Sequence, residues 1–461
     1  MFETYVYVKR RKLLKDQMKS GIILLPGNVE SPMNYLDNTY HFRQDSNFLY
    51  FFGLDNPGFV GIIDVDEDKD YIFGEDFTID DIIWMGPQPT VKDLAQQVGV
   101  VHTGTVAQLK EKIDTAISQN RKIHFLPPYR AENLLQLEKL LGIANSSIKQ
   151  YASVNLIKAV VAQRSVKSDA EINEIEKALE ISAEMYHTVM QMASPGTYER
   201  EISGAIEGIV NSYGNHISFP IILSVHGETL HNHYHGNRLE KNHLLVTDSG
   251  AESPGHYASD ITRTFPVGGK FTPQQKDIYQ IVLDSQLAAI EAMKPGKPYK
   301  EIHLQVAKII ASGLKNVGLM KGDTDAAVKE GAHALFYPHG LGHMMGLDVH
   351  DMEDLGEDYV GYDETVKRSD QFGLAYLRMA KALQPGYVIT VEPGIYFIPA
   401  LVDKWKTENK FADFINYAKV EEYRNFGGIR IEDDVLITAK GHRVLGKPIP
   451  KTVDEIESIM S

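Results

Sequence analysis

Four acidic residues and a cluster of histidines are the parts of this sequence best suited to chemistry. The segment "HGLGHMMGLDVHD" (339–351) places His339, His343 and His350 within thirteen residues and ends in an aspartate. Asp248 stands near the end of the apolar run "HLLVTDSGAE" (243–252). In "ASDITRTFP" (258–266) the pattern alternates, so Asp260, Thr262 and Thr264 share one face of a strand. Glu392 precedes a Pro-Gly turn in "GYVITVEPGIYF" (386–397), which reads as one buried strand. In "FGGIRIEDDVLIT" (426–438) Arg430 and Glu432 take one strand face, and Ile429, Ile431 and Val435 the other.

A buried, unpaired carboxylate costs several kcal/mol, so each of these four needs a partner. Salt bridging explains a single aspartate near a strand end. It is a poor explanation for four carboxylates and a histidine cluster together. Two divalent cations balance four carboxylates and one neutral imidazole. That donor set suits Mn²⁺, Co²⁺, Fe²⁺ or Zn²⁺ better than copper. Two close metals lower the pKa of a shared water towards neutrality and so make a hydroxide nucleophile. The chain has no cysteine, which removes disulfides, zinc–thiolate sites and cysteine nucleophiles together. No HExxH, GxSxG or Walker loop is present.

The elements that must position these residues are partly visible. "GIILLPG" (21–27) and "GFVGIIDVD" (58–66) read as buried strands, and 105–117 and 130–142 as helices. They describe a small α/β domain over residues 1–155. A second unit, 165–461, opens with Ser168 and Glu171 spaced as a capping box. Ile172, Ile175, Leu179, Tyr186 and Val189 then form the apolar stripe of a long helix. Segments 192–214 and 293–318 resemble each other: each breaks at Pro-Gly (195–196, 295–296) and then starts a helix. Two copies are too few for a solenoid and fit two related halves around a central site.

At 461 residues with 43% hydrophobic and 24% charged residues, the chain has ample material for two cored domains. A net charge of −15 argues against binding nucleic acid or an anionic membrane surface. No run approaches the ~20 apolar residues of a membrane helix, and "GIILLPG" is too short for a signal-peptide core. The expected location is cytoplasmic.

The segments "VTDSGAE…YASDITRTFPVGGKFT", "HGLGHMMGLDVHD", "TVEPGIYF" and "GIRIEDDV", in this order, resemble the pita-bread metallopeptidases of family M24. "FRQDSNFLYFFGLDNPGFVGIIDVD" (42–66) is similar to the amino-terminal, aminopeptidase P-like domain of that family's proline-specific branch. The resemblance implies an α+β chain: a pita-bread (creatinase/aminopeptidase) domain with pseudo-twofold halves, its curved and mostly antiparallel sheet backed by helices. A smaller α/β domain precedes it, supports dimerisation or a higher homo-oligomer, and walls one side of the active site.

It further implies that Asp248 holds one metal, that Asp260 and Glu432 bridge two, and that His343 and Glu392 complete the other metal's shell. Glu392 doubles as proton shuttle between the nucleophilic water and the leaving proline nitrogen. His350 helps stabilise the tetrahedral intermediate and His339 lines the pocket. Of the histidines in "GETLHNHYHGN", His231 takes the remaining site position, with His233 as runner-up. His243 reads as a solvated turn residue. Arg430 keeps the bridging Glu432 ionised and oriented and takes part in substrate binding. The cofactor expected is a pair of divalent ions, Mn²⁺ first, with Co²⁺ or Zn²⁺ as alternatives.

The branch contains Xaa-Pro dipeptidases and Xaa-Pro aminopeptidases. Both cleave before proline, whose missing N–H and fixed φ defeat peptidases that grip an extended backbone. Their substrates are small peptides with proline at the second position. "WMG" (84–86), the insertion 399–428 and the end "PKTVDEIESIM" look more like the dipeptidases. There an arginine clamps the substrate's C-terminal carboxylate, and Arg378 in "YLRMAKAL" matches that position. The reading is therefore an Xaa-Pro dipeptidase acting through a metal-bridging hydroxide. The alternatives are an Xaa-Pro aminopeptidase and, remotely, a non-catalytic binding protein on the same fold. "HDMEDLGEDYVGYDE" departs from the family's glycine-rich continuation and is unusually acidic.

Overall fold

Apolar runs punctuated by glycine and proline fold here into short strands, and the longer amphipathic segments into the helices that cover them. A computed structural model describes residues 2–461. The chain forms two units: residues up to Arg164 with Asp354–Tyr359, and residues Ser165–Glu353 with Val360–Ser461.

The first unit is built on a five-stranded mixed sheet. Its strands are β1 (Ile22–Pro26), β2 (Val60–Asp64), β3 (Lys69–Phe73), β4 (His102–Gly104) and β5 (Ile123–His124), in the order β4-β3-β2-β1-β5. Ile22, Leu24, Val60 and Ile62 project from one face at the period of two that a strand imposes. They pack on Leu109 and Ile113 of helix Val106–Ser118 and on Leu137 and Leu140 of helix Ala131–Leu141. Asp64, at the end of β2, is buried, and Lys112 and Arg121 neutralise it.

The second unit repeats one motif. Helix Asp169–Met192 and helix Pro273–Ala292 each end just before Pro-Gly, and helices Glu199–Ser212 and Tyr299–Asn316 follow. Gly196 (φ 102°) and Gly296 (φ 82°) make the two turns with backbone angles that favour glycine. At the start of the first helix the Glu171 carboxylate accepts from Ser168 N (3.0 Å) and Oγ (2.7 Å), the reciprocal cap expected from the sequence.

The strands of this unit pair only antiparallel. β6 (Ile222–Ser224), β7 (Leu244–Ser249) and β8 (Ile261–Pro266) form one sheet in that order. β9 (Val388–Val391), β12 (Asp433–Ile437) and β13 (His442–Val444) form a second, ordered β13-β12-β9. β10 (Gly394–Tyr396) pairs with β11 (Gly428–Arg430).

Two expectations change. Residues 386–397 are not one strand, because Pro393 has no N–H for the ladder; Glu392 sits at the break between β9 and β10. Residues 426–438 also divide, at Ile431 and Glu432, because Glu432 leaves its neighbours to pair across with Thr262 of β8. Glu432 N donates to Thr262 O at 3.0 Å. The antiparallel strands of this unit thus group into three small sheets, two of them joined by the Thr262–Glu432 bridge, and the breaks fall where two of the four carboxylates stand. Among the described residues no helix is long and apolar enough to cross a membrane.

Candidate active site

All ten residues singled out in the sequence line one cavity of about 530 Å³ in the second unit: Asp248, Asp260, His343, Glu392, Glu432, His231, His339, His350, Arg378 and Arg430. Phe219, Leu230, Val349, Phe372 and Tyr376 supply apolar wall. His233, the alternative to His231, also reaches the cavity. Burial lowers the pKa of His231, and the nearby Arg430 adds to the effect.

The carboxylates enter from separate elements. Asp248 lies in β7 opposite Thr262 of β8. Asp260 precedes β8, and its N–H donates to Asp434 Oδ2 at 3.1 Å. Glu392 is held by its own N–H on Leu341 O (2.9 Å). The histidine segment runs along β9: Thr390 N donates to His343 O (3.0 Å) and His343 N to Thr390 Oγ1 (3.1 Å). A Cβ on Gly342 would sit 2.0 Å from Thr390 O, so this approach needs glycine.

His343 Nδ1 lies 3.0 Å from Met344 O, so the ring proton sits there and Nε2 keeps its lone pair. Nε2 is 3.4 Å from Asp260 Oδ2 and 3.7 Å from Glu392 Oε1. Asp260, His343 and Glu432 each offer one ligand atom, and these atoms lie within 4.8 Å of one another. Asp248 Oδ1, Asp260 Oδ1 and Glu432 Oε1 are buried without a hydrogen-bond partner. Burial pushes the Asp260 and Glu432 carboxyls well above their ordinary range, and the mutual repulsion of the acidic group adds to it. Burial likewise raises Glu392, against the pull of His343 and Arg430. Orphaned oxygens, a correctly protonated imidazole and uncompensated negative charge fit divalent cations bound among these residues.

Arg430 braces the acidic group. It donates to Asp248 Oδ2 at 2.5 Å, Thr262 Oγ1 at 3.1 Å and Tyr396 Oη at 2.9 Å. Thr262 Oγ1 in turn donates to Glu432 Oε2 at 2.6 Å. The expected link from Arg430 to Glu432 therefore runs through Thr262, while the direct partner is Asp248. Each of the three guanidinium nitrogens thus makes a hydrogen bond within the protein, and Arg430 also lines the cavity. Tyr396 Oη also donates to His339 Nε2 (2.9 Å), and His339 Nδ1 donates to Gly340 O (2.8 Å). Burial and the nearby Arg430 hold His339 down to about 3. It lines the cavity as a neutral ring with both nitrogens occupied.

His350 stacks edge-on against His343, ring centroids 4.1 Å apart. Its Nδ1 donates to Glu353 Oε2 at 2.6 Å, and Glu353 Oε1 accepts from Arg378 Nη1. Burial and the neighbouring His343 lower His350 to about 4, and the His350 hydrogen bond leads in lowering Glu353 to about 2. His350 can thus donate towards a tetrahedral intermediate only with a second proton, a form the Glu353 carboxylate favours. Behind it Lys167 and Asp351, both fully buried, pair at 2.9 Å. Sequence reasoning missed Tyr396, Thr390, Lys167 and Glu353 as site-shaping residues. Only Glu353 carried a signal, since it stands in the acidic departure after the histidine segment.

This constellation, on two helix-backed antiparallel halves, defines a metallopeptidase with the pita-bread fold. The chain belongs to metallopeptidase family M24: residues 173–439 match that family's profile, and residues 7–124 match the aminopeptidase P amino-terminal domain. It is 33% identical over 451 residues to a human Xaa-Pro dipeptidase, covering 96% of this chain and 89% of that one. It is 31% identical over 466 residues to the Xaa-Pro aminopeptidase of Escherichia coli K12, covering 98% and 97%. A zinc-substituted E. coli aminopeptidase P in complex with product superposes with a TM-score of 0.82 at 29% identity, covering 100% of this chain and 98% of that chain. Aminopeptidase PepP of Pseudomonas aeruginosa does so with 0.82 at 28% identity and the same coverage.

Proposed function

We propose that this metallopeptidase hydrolyses the Xaa-Pro bond of dipeptides, with Asp248, Asp260, His343, Glu392 and Glu432 as ligands of two divalent cations, Mn²⁺ first and Co²⁺ or Zn²⁺ as alternatives. The observation that supports it most is the trio of buried, unpartnered oxygens on Asp248, Asp260 and Glu432, facing one cavity with His343. When bound, the cations supply Lewis acidity, which activates water and polarises the scissile carbonyl.

The chain's own residues do the rest. Glu392, raised by burial, is suited to take a proton from the attacking water and return it to the proline nitrogen, a poor leaving group until protonated. His231 and His350 face the substrate's reacting end, with Glu353 favouring the protonated form of His350. His339 and Tyr396 fix the Arg430 guanidinium, which holds Asp248 directly and Glu432 through Thr262. Arg378 lines the cavity, and in this reading it meets the substrate's C-terminal carboxylate.

One observation favours a second reading, release of the first residue from longer peptides: Arg378 already carries the Glu353 carboxylate. Hydrolysis of Ala-Pro and Ala-Pro-Ala by metal-stripped protein with Mn²⁺ restored separates the two. Cleavage of the dipeptide alone supports the dipeptidase. Efficient cleavage of the tripeptide makes the enzyme an aminopeptidase.

A further inference from the structure

We propose that Glu199 is a positioning residue for His231: a buried carboxylate outside the cavity that clasps both ends of the loop carrying this histidine. The inference deepens the Xaa-Pro reading and rests on it for the part His231 plays in the reaction.

The loop runs from Val225 to Asn237, between β6 and β7, and no part of it is helix or strand. It brings Leu230, His231 and His233 to the cavity. Glu199 opens helix Glu199–Ser212 and is fully buried. Its Oε1 accepts from Ser224 Oγ at 3.1 Å, Val225 N at 2.8 Å and Asn237 Nδ2 at 3.2 Å. Its Oε2 accepts from Asn237 N at 3.1 Å and Nδ2 at 3.0 Å. One carboxylate thus ties the loop's first residue to its last. The backbone returns the contact at the far end, where Glu199 N donates to Asn237 O at 3.0 Å. Ser224 carries the hold inward. Its single proton goes to Glu199, which leaves its lone pairs to accept from His226 N (3.1 Å) and Asn232 Nδ2 (3.0 Å). Asn232 adjoins His231.

Both oxygens of Glu199 act only as acceptors, which is the inventory of a carboxylate. Glutamine has the same shape, but its amide nitrogen would face Asn237 N in one orientation and Val225 N in the other. Either way a buried donor meets a donor, and a buried donor left without an acceptor is costly.

The internal repeat supplies a second observation. Tyr299 stands at the matching position of the other half, opens helix Tyr299–Asn316 and is equally buried. Its Oη donates to Thr390 O at 2.7 Å, and Thr390 bonds His343 through N and Oγ1. In each half, the first residue of this helix steadies the segment that carries a cavity histidine.

The test is a double-mutant cycle on the Mn²⁺-loaded full chain: Glu199→Gln, His231→Ala and both together, assayed on Ala-Pro and Ala-Pro-Ala. Glu199→Gln is expected to lower kcat about tenfold with KM little changed, as when an interaction made in the transition state is lost. In the His231→Ala background it should cost less than about twofold, and Mn²⁺ affinity should stay at the wild-type value. A merely structural role would cost as much in both backgrounds. Ser224→Ala, which keeps the carboxylate and cuts the arm to Asn232, carries the same cycle if Glu199→Gln does not fold. Equal losses in the two backgrounds, no loss, or weakened Mn²⁺ binding overturn the role of Glu199 and leave the Xaa-Pro reading standing. Amide hydrogen exchange over 225–237, measured without substrate, should quicken in either variant. If the wild type cleaves neither peptide, the Xaa-Pro reading fails, and exchange alone decides whether Glu199 holds this loop: faster exchange upholds the clasp, and unchanged exchange refutes it.

Discussion

His343 turns Nε2 to within 3.4 Å of Asp260 Oδ2 while Nδ1 donates to the Met344 carbonyl at 3.0 Å. The second contact decides the meaning of the first. A ring protonated on Nδ1 and lowered by burial presents a lone pair, not a positive charge, to Asp260. Two acceptors facing each other at that distance are stable only with something positive between them. The same holds for the orphaned oxygens of Asp248 and Glu432.

Arg430 is the brace of this arrangement, and lysine cannot replace it. A lysine keeps the charge near Asp248 but cannot also reach Tyr396 and Thr262, because it lacks the planar fork. Arg430→Lys is expected to weaken Mn²⁺ binding by about 10–100-fold, the effect usual for losing a group that orients a metal ligand. Equilibrium Mn²⁺ titration of the stripped variant measures it. Unchanged affinity would show that Asp248 and Glu432 orient themselves.

A buried ion pair helps to tie down the loop that carries His350. Lys167 and Asp351 are each only 1% exposed at the side chain. Replacing Lys167 with methionine removes the cation of this pair from beside a buried carboxylate, at a cost of about 3–5 kcal/mol. Thermal unfolding should show a lowered transition, and the folded fraction should hydrolyse peptides more slowly because His350 adjoins Asp351. A neutral effect on stability would mean that Asp351's other contacts suffice.

In the first unit Asp64 predicts an acid limit. Burial alone would raise its carboxyl, but hydrogen bonds from Arg121 and Lys112 outweigh burial and bring it below the ordinary value. A depressed folded pKa gives stability that is present above the unfolded value, about 3.9, and is lost as pH falls through the folded one. The stability difference between wild type and Asp64→Asn should therefore be constant near neutrality and shrink below about pH 4. Melting temperatures from pH 7 to pH 3 test this. A difference that stays constant to pH 3 would contradict it.

How much of this was legible beforehand depends on the kind of interaction. Carboxylates in apolar strands stand out because burial without a partner is costly, so Asp248, Asp260, Glu392 and Glu432 were visible from their surroundings alone. The helix–Pro-Gly–helix repeat was visible because Gly196 and Gly296 mark turns that favour glycine. The broken strands were harder. Glu432 leaves its strand to pair with Thr262, 170 residues earlier, and backbone pairing leaves no trace in side-chain alternation. The supporting polar residues were hidden for the same reason. Tyr396 works because Arg430 and His339 converge on its hydroxyl, and Thr262 because it stands between Arg430 and Glu432. Such roles belong to three-dimensional neighbours, and local pattern does not encode them.

Five residues are proposed to hold two cations that this metallopeptidase needs to cleave before proline. The direct measurement titrates Mn²⁺ into metal-stripped protein, following bound metal and Ala-Pro hydrolysis in the same samples, beside Asp260→Asn. Two Mn²⁺ per chain are expected, with hydrolysis that appears as the sites fill and loss of both binding and activity in the variant. Protein that binds no metal, or that stays inactive on Ala-Pro and Ala-Pro-Ala with Mn²⁺, Co²⁺ and Zn²⁺ alike, would contradict it.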